Sequence, residues 1–324
     1  MDVHEMLTLL SSNGLPETLL EKAWRERLEY RGREIRFYYP YPRFPAVSIT
    51  GGWCALKCKH CMGKYLEGMT PIGSPEELKE FSLRLEERGG VGLLVSGGCT
   101  LDGRVPLERF LNALRWIKEH TELIINVHTG LVDGERAEEI ASTGIDIASI
   151  DIVGSDQTIR DVYGLKATVE DYEETLHSLM ETSIPAVVPH LCVGLDHGKI
   201  IGEARALEII GEAKPQQMVI LALIPTPGTP MEGVNPPPPT DVAKATALAR
   251  LLMPKASISL GCMRPRAERK MLETLCLKAG ADRIVLPSKA ARSWAEAHSL
   301  KILELDGCCS IPEKLEDRAI RCPP

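Results

Sequence analysis

The chain has 324 residues, of which 44% are hydrophobic and 26% charged, and its formal net charge is −7. That length is filled by one (β/α)8 barrel, and the apolar share supplies a large core. The acidic balance excludes a general electrostatic attraction to nucleic acid or to an anionic membrane surface.

The first residues, MDVHEMLTLLSSNG, lack the basic region, apolar run and cleavage site of a secretory leader. No apolar stretch reaches the ~18 residues of a membrane span, so a cytoplasmic location is expected. Within residues 1–45, Leu19, Ala23, Trp24 and Leu28 recur at helical spacing and predict a helical extension under or beside the main domain.

Short β-branched runs ending in Gly, Pro or polar turns predict strands over 46–50, 91–96, 123–128, 146–152, 186–195, 218–225, 256–262 and 283–287. Amphipathic stretches at 75–88, 107–120, 169–181 and 241–252 predict the helices between them. Eight strands alternating with helices imply parallel pairing and a (β/α)8 TIM-type barrel over 46–299. Residues 225–239 hold seven prolines and read as a stiff loop at the barrel mouth. Beyond a helix near 288–298 and a short run at 301–305, a C-terminal segment, 300–324, carries the sequence DGCCSI.

Barrel enzymes build their active sites at the C-terminal ends of the strands. Cys54, Cys58 and Cys61 follow the first strand, Ser96-Gly97-Gly98-Cys99 the second, His128 the third and Asp151 the fourth. His190 and Cys192 share one face of the fifth strand by their two-residue spacing, and Cys262 with Arg264 follows the seventh. Ten cysteines in a chain whose thiols stay reduced, crowded rather than spread as a disulfide framework, favour metal or cluster ligation.

Cys54-Ala-Leu-Lys-Cys58-Lys-His-Cys61 is a CxxxCxxC loop. Three thiolates from one loop suit a [4Fe–4S] cubane whose fourth iron has no protein ligand. A structural zinc site is the alternative, with His60 as its fourth ligand, although zinc usually draws on paired knuckles and no second one lies nearby. The spacing, and its place after the first barrel strand, resemble the radical S-adenosylmethionine (SAM) superfamily. That resemblance implies a [4Fe–4S] cluster chelated by SAM, reductive SAM cleavage to a 5′-deoxyadenosyl radical and hydrogen abstraction from an unreactive carbon. It further implies that Ser96, Gly97 and Gly98 form the turn meeting the SAM amino group, with Cys99 where the family carries an acid. Ser149 and Asp151 would hold the ribose, and the segment from Gly194 would lie near the adenine.

Within the superfamily the chain resembles biotin synthase over residues 40–300. Pro227-Gly228-Thr229-Pro230 is similar to its GTP-containing loop, and Leu260-Gly261-Cys262-Met263-Arg264 to the segment carrying its auxiliary-cluster arginine. The third strand, however, lacks the corresponding cysteine. The pattern also resembles two-protein lipoyl synthases, in which paired radical SAM proteins insert sulfur into a carrier-bound octanoyl chain.

The resemblance therefore implies a sulfur-inserting radical SAM enzyme, of lipoyl synthase type on an octanoyl carrier. Its expected partners are a ferredoxin- or flavodoxin-type electron donor, a paralogous radical SAM protein and a lipoyl carrier protein. Cys192, Cys262, Cys308 and Cys309 could bind a second iron–sulfur cluster if the C-terminal segment folds over the barrel mouth. The alternative for each is a buried cysteine acting as a small hydrophobe, as expected of Cys276. His190 and Arg264 are the catalytic candidates; their alternatives are a hydrogen-bonded core histidine and an exposed basic helix start. Two other functional readings stay open: a single-cluster radical SAM mutase, lyase or methyl-transfer enzyme, and a non-enzymatic iron–sulfur carrier.

Overall fold

The computed structural model describes residues 3–321; Cys322, expected in a terminal tail, lies outside them. Two helices, α1 (Val3–Ser11) and α2 (Glu17–Arg31), precede strand β1 (Glu34–Tyr38). Strand β2 (Ala46–Ser48), β3 (Thr70–Pro71), α3 (Pro75–Glu87) and β4 (Gly92–Ser96) follow. Helix and strand then alternate through α4 (Leu111–His120), β5 (Ile124–His128), α5 (Gly134–Ala141), β6 (Ile147–Asp151), α6 (Asp156–Thr158) and α7 (Val169–Met180). The series continues with β7 (Ala186–Val193), α8 (Glu203–Ala213), β8 (Gln217–Ala222), α9 (Pro239–Leu252) and β9 (Ser257–Leu260). It ends with α10 (Arg269–Lys278), β10 (Arg283–Val285), α11 (Lys289–Ala297) and β11 (Lys301–Leu305).

The helix starts follow local chemistry. Ser74 accepts a hydrogen bond from the Glu77 amide ahead of Pro75, and Thr168 with Asp171 closes a capping box on α7. The strands pair in parallel in the order β11-β1-β10-β9-β8-β7-β6-β5-β4-β2-β3. All eight expected strands are present in their expected sequence. Where the eight-strand reading has the last strand meet the first, the edge of β10 is taken by β1 and β11, so the ladder runs open from β11 to β3. The sheet thus draws strands from both the N-terminal 45 residues and the C-terminal 25.

Inward and outward positions alternate along each strand. On β5, Ile125 and Val127 pack outward under the helices, while Ile124, Asn126 and His128 face the lumen. The outer core is thickened by the N-terminal helices: α2 packs on α9 and α10, and α1 on α8 and α9. Helix α9 is therefore covered on every side. Its buried Lys244 reaches back to the Leu10 and Ser12 carbonyls at the C-terminal end of α1, at 3.1 and 2.5 Å.

The lumen is filled by the segment after β11, which corrects the expectation that it covers the mouth. Its anchors sit at the opposite, N-terminal ends of the strands. The Gln217 amide donates to the Ser310 carbonyl, Arg283 donates to the carbonyls of Cys309 (3.0 Å) and Ile311 (2.7 Å), and Ser257 bonds Glu313 (3.0 Å). Buried Glu316 is held by Arg36 at 2.7 Å, the Tyr38 hydroxyl at 2.5 Å and Arg283 at 2.9 Å. One short segment touching β1, β5, β8, β9 and β10 requires the sheet to be curled around it.

Removing one member of a buried ion cluster leaves its partners charged and unpaired, a loss of about 3–5 kcal/mol. Glu316→Ala is therefore expected to lower stability by about that amount, read as a shifted urea midpoint. Exposed Asp317→Ala, one residue away, should stay within about 0.5 kcal/mol of wild type.

Candidate cluster and cofactor site

The cysteine loop leaves β2 and is pinned along its length. The Thr50 hydroxyl donates to the Trp53 carbonyl (2.9 Å) and accepts from the Gly98 amide (2.7 Å), and the Ala55 amide donates to the Cys99 carbonyl (2.8 Å). The Lys59 amide donates to Val162 O at 2.8 Å, tying the loop to the turn after β6. Left-handed backbone at Lys57, Met62 and Gly63 (φ 48°, 50° and 80°) folds the loop back on itself. Cys54 and Cys58 end buried and Cys61 half-buried.

Gly98 has a physical reason beyond any cofactor. A Cβ there would lie 1.9 Å from Trp53 O and 2.6 Å from the Cys54 Cα. Only a residue without a side chain lets the β4 turn approach the cysteine loop this closely.

Donor atoms of Cys58, His60 and Cys61 fall within 4.8 Å of one another. The Cys58 thiol hydrogen-bonds Cys61, and that bond, with help from His60 and the Gly63 amide, holds the Cys61 thiol down at about 4. The same pairing pushes Cys58 up, and burial pushes Cys99 up to about 12. His60 packs edge-on against Tyr163 at 5.4 Å, and its buried Nδ1 has no hydrogen-bond partner. A pinned loop that brings Cys58, Cys61 and His60 within reach of one ion, with Cys54 buried on the same loop, suits metal or cluster ligation.

Around it, the expected cofactor residues gather on the lumen face. Ser96 Oγ bonds His128 Nδ1 at 2.9 Å. Ser149 is buried and donates to Asn126 Oδ1 at 2.9 Å. Asp151 is half-exposed, with His190 Nδ1 3.6 Å from its carboxylate. Against its partial desolvation, nearby His190 holds the carboxyl below its usual range. Burial, then the charge of His190, lowers His128 to about 4, so it is neutral at physiological pH. His190 lies edge-on to His128 at 5.9 Å, and its buried Nε2 has no partner.

Other expected residues are placed differently. Gly194 (φ 75°) abuts Pro237, whose ring atoms would lie 2.8–2.9 Å from an added Cβ, and its amide donates to buried Glu203 at 2.7 Å. Glycine is thus required there by the proline-rich loop. Arg264 is buried and bonds Glu273 and the Val285 carbonyl, each at 2.6 Å, while NH1 donates to Gly261 O. It locks the β9–α10 turn to β10, leaving neither terminal nitrogen free for a substrate carboxylate.

Cys308 lies in the lumen, where the Asn126 amide donates to its sulfur at 3.9 Å, one inward position below His128 on β5. A hydrogen bond from Cys309 lowers the Cys308 thiol to about 6, against burial and with help from Ser310 and His190. Cys262 is exposed. Among the described residues, Cys192, Cys262, Cys308 and Cys309 do not converge within reach of a single ion; Cys58, His60 and Cys61 do. Cys276 is fully buried in α10, as expected. Asn126 is the lumen residue that sequence reasoning missed; its signal was an amide at an inward position of an otherwise apolar strand.

The Gly98 contact makes a sharp test. Gly98→Ala is expected to lose more than half of the reconstituted iron, because the loop must move, whereas Cys99→Ala should retain it. Iron content after anaerobic reconstitution distinguishes the two.

Comparison with known proteins agrees with this geometry. Residues 48–198 match the model of the radical SAM superfamily, and residues 219–308 match the biotin and thiamin synthesis associated domain. A biotin synthase of Halorhodospira halophila is 28% identical over 252 residues, 74% of each chain. One from Synechococcus sp. is 25% identical over 280 residues, 83% of each chain. Among solved structures, methylornithine synthase superposes with a TM-score of 0.64 at 19% identity, covering 97% of this chain and 87% of its own. The FeFe-hydrogenase maturase of Carboxydothermus hydrogenoformans does so at 0.67 and 15%, covering 98% and 78%; at such identities the likeness is one of fold. No helix among the described residues is long and apolar enough to cross a membrane. The chain thus carries a radical SAM domain over residues 48–198 and a biotin and thiamin synthesis associated domain over 219–308, and is biotin synthase-like.

Proposed function

We propose that the chain is a sulfur-inserting radical SAM enzyme acting at unactivated C–H bonds, of lipoyl synthase type on an octanoyl carrier. One observation carries the reading: the post-β11 segment delivers Cys308 and Cys309 into the lumen, one inward position beneath His128. A sulfur-inserting enzyme needs a sulfur source beside its substrate, and these are thiols in that place. The superfamily's cluster, when bound, supplies the electron that cleaves SAM to a 5′-deoxyadenosyl radical.

The chain's own residues then have distinct duties. Cys54, Cys58 and Cys61 hold the cluster. Ser96, Gly97 and Gly98 present the β4 turn to the SAM amino group, and Ser149 and Asp151 take its ribose. His190, with Asp151 3.6 Å from Nδ1 and no partner at its buried Nε2, is the group to hold or move a proton at the substrate. Cys262, Cys308 and Cys309, with Cys192 on β7, would be the ligand set for a second iron–sulfur cluster, which would supply the sulfur. A ferredoxin- or flavodoxin-type protein supplies electrons, a paralogous radical SAM protein shares the double insertion, and the location is cytoplasmic. A single-cluster enzyme is the second reading, favoured by the absence of close convergence among those four cysteines in the described residues.

Iron and sulfide counts after anaerobic reconstitution separate the readings. About eight irons in wild type, about four in the Cys54/Cys58/Cys61→Ala variant and about four in the Cys308/Cys309→Ala variant are expected for two cubanes. About four irons in wild type and none in the first variant would leave a single cluster and end the sacrificial-cluster reading.

A further inference from the structure

The end of the sheet opposite the cluster carries a groove of about 920 Å³. Its floor is apolar, built from Ile184 and Val187 at the start of β7, Leu252 and Met253 at the end of α9, and Pro215. Its rim is basic. Lys214 before β8, Lys255 before β9 and Lys314 of the lumen-filling segment are all exposed. Among the described residues none of the three makes an ion pair or a side-chain hydrogen bond. The one carboxylate in the lining, Glu313, is already bound by Arg31, with Arg36 and Arg283 within 4.0 Å. A cluster of unpaired cations around an apolar floor, in a chain of net charge −7, runs against the molecule's overall field.

Strand starts are not where barrel enzymes place chemistry, so a recognition role fits this end better than a catalytic one. We infer that the groove docks an acidic, amphipathic segment of a partner protein, its apolar side on the floor and its carboxylates on Lys214, Lys255 and Lys314. The groove is open along its length, which suits a protein segment rather than a small ligand needing near-complete enclosure.

The site is coupled to the lumen by shared residues. Gln217 lines the groove while donating to the Ser310 carbonyl and accepting from Arg283 at 2.9 Å. Ser257 lines it while bonding Glu313, and Pro312–Lys314 form one wall. An occupant therefore rests on the same contacts that hold Cys308 and Cys309 in the lumen, and its binding rigidifies that segment.

The test uses reconstituted holoprotein and a fluorescein-labelled peptide of about 18 residues, with Leu at helical i, i+3, i+4, i+7 spacing and Glu elsewhere. Controls are a scrambled peptide of identical composition, and octanoate as a competing small carboxylate. Anisotropy should give a Kd on the order of 1–100 μM that weakens with salt. Binding should be at least tenfold weaker in the Lys214/Lys255/Lys314→Glu variant and intermediate in the corresponding Gln variant. Amide exchange over residues 308–316 should slow on binding. Equal binding by wild type and the Glu variant, equal binding of the scrambled peptide, or displacement by millimolar octanoate would overturn the inference. Because these exposed lysines lie far from the cluster loop, iron content and SAM cleavage should be unchanged in both variants. Failure of SAM cleavage in wild type would instead count against the proposed function, leaving the docking result to stand on its own.

Discussion

The arrangement of the lumen depends on one buried ion cluster, Arg283 and Arg36 against Glu316. A guanidinium fully buried at the start of β10 is costly unless paired, and its partners come from a segment distant in sequence. That segment satisfies Arg283 through Glu316 and two backbone carbonyls. In doing so it is drawn up between the strands and carries Cys308 to Asn126. Were the pair apolar, the segment could lie anywhere on the outside. The charges fix its register, and its register fixes where two thiols sit.

Above that plug the lumen is polar in a graded way. Asn126 and Ser149 bond each other, His128 bonds Ser96, and His190 stands 3.6 Å from Asp151 with no partner at Nε2. Ser96, His128, Asn126 and Ser149 are each satisfied by a neighbour on the next strand, as low-dielectric surroundings demand. The exception is the imidazole nitrogen that faces the interior. The cysteine loop closes this chamber from above, and its contacts reach the β4 turn and the turn after β6.

Much of this was legible in the chain. The eight strands, the cysteine loop after the first of them and the polar residues at strand ends follow from periodicity and motif spacing. Strand β1 was not legible: its Glu34-Ile35-Arg36-Phe37 alternation is only a few residues long and follows directly on a helical pattern. It becomes a strand because β10 offers an edge, which is a tertiary fact. The direction of the C-terminal segment was equally hidden, since the polar residues that anchor it, Gln217, Ser257 and Arg283, read as ordinary strand beginnings. Arg264 misled for a related reason. It stands where an anion-binding arginine would, and only the burial of Glu273 beside it reveals a structural bond. Gly98 and Gly194 were read toward the cofactor, but backbone packing alone already requires glycine at both.

The route of the lumen segment also bears on how the molecule is assembled. Residues 308–311 are synthesised after every strand, yet they end up inside the curled sheet, held from the end remote from the cysteine loop. Collapse of the sheet before their arrival would leave the Arg283 guanidinium bare and the chamber wet. The plug has its full set of anchors only once the strands carrying Gln217, Ser257 and Arg283 are in place. Until it seats, the cavity stays open from below, a window in which an inorganic component could enter and be sealed in.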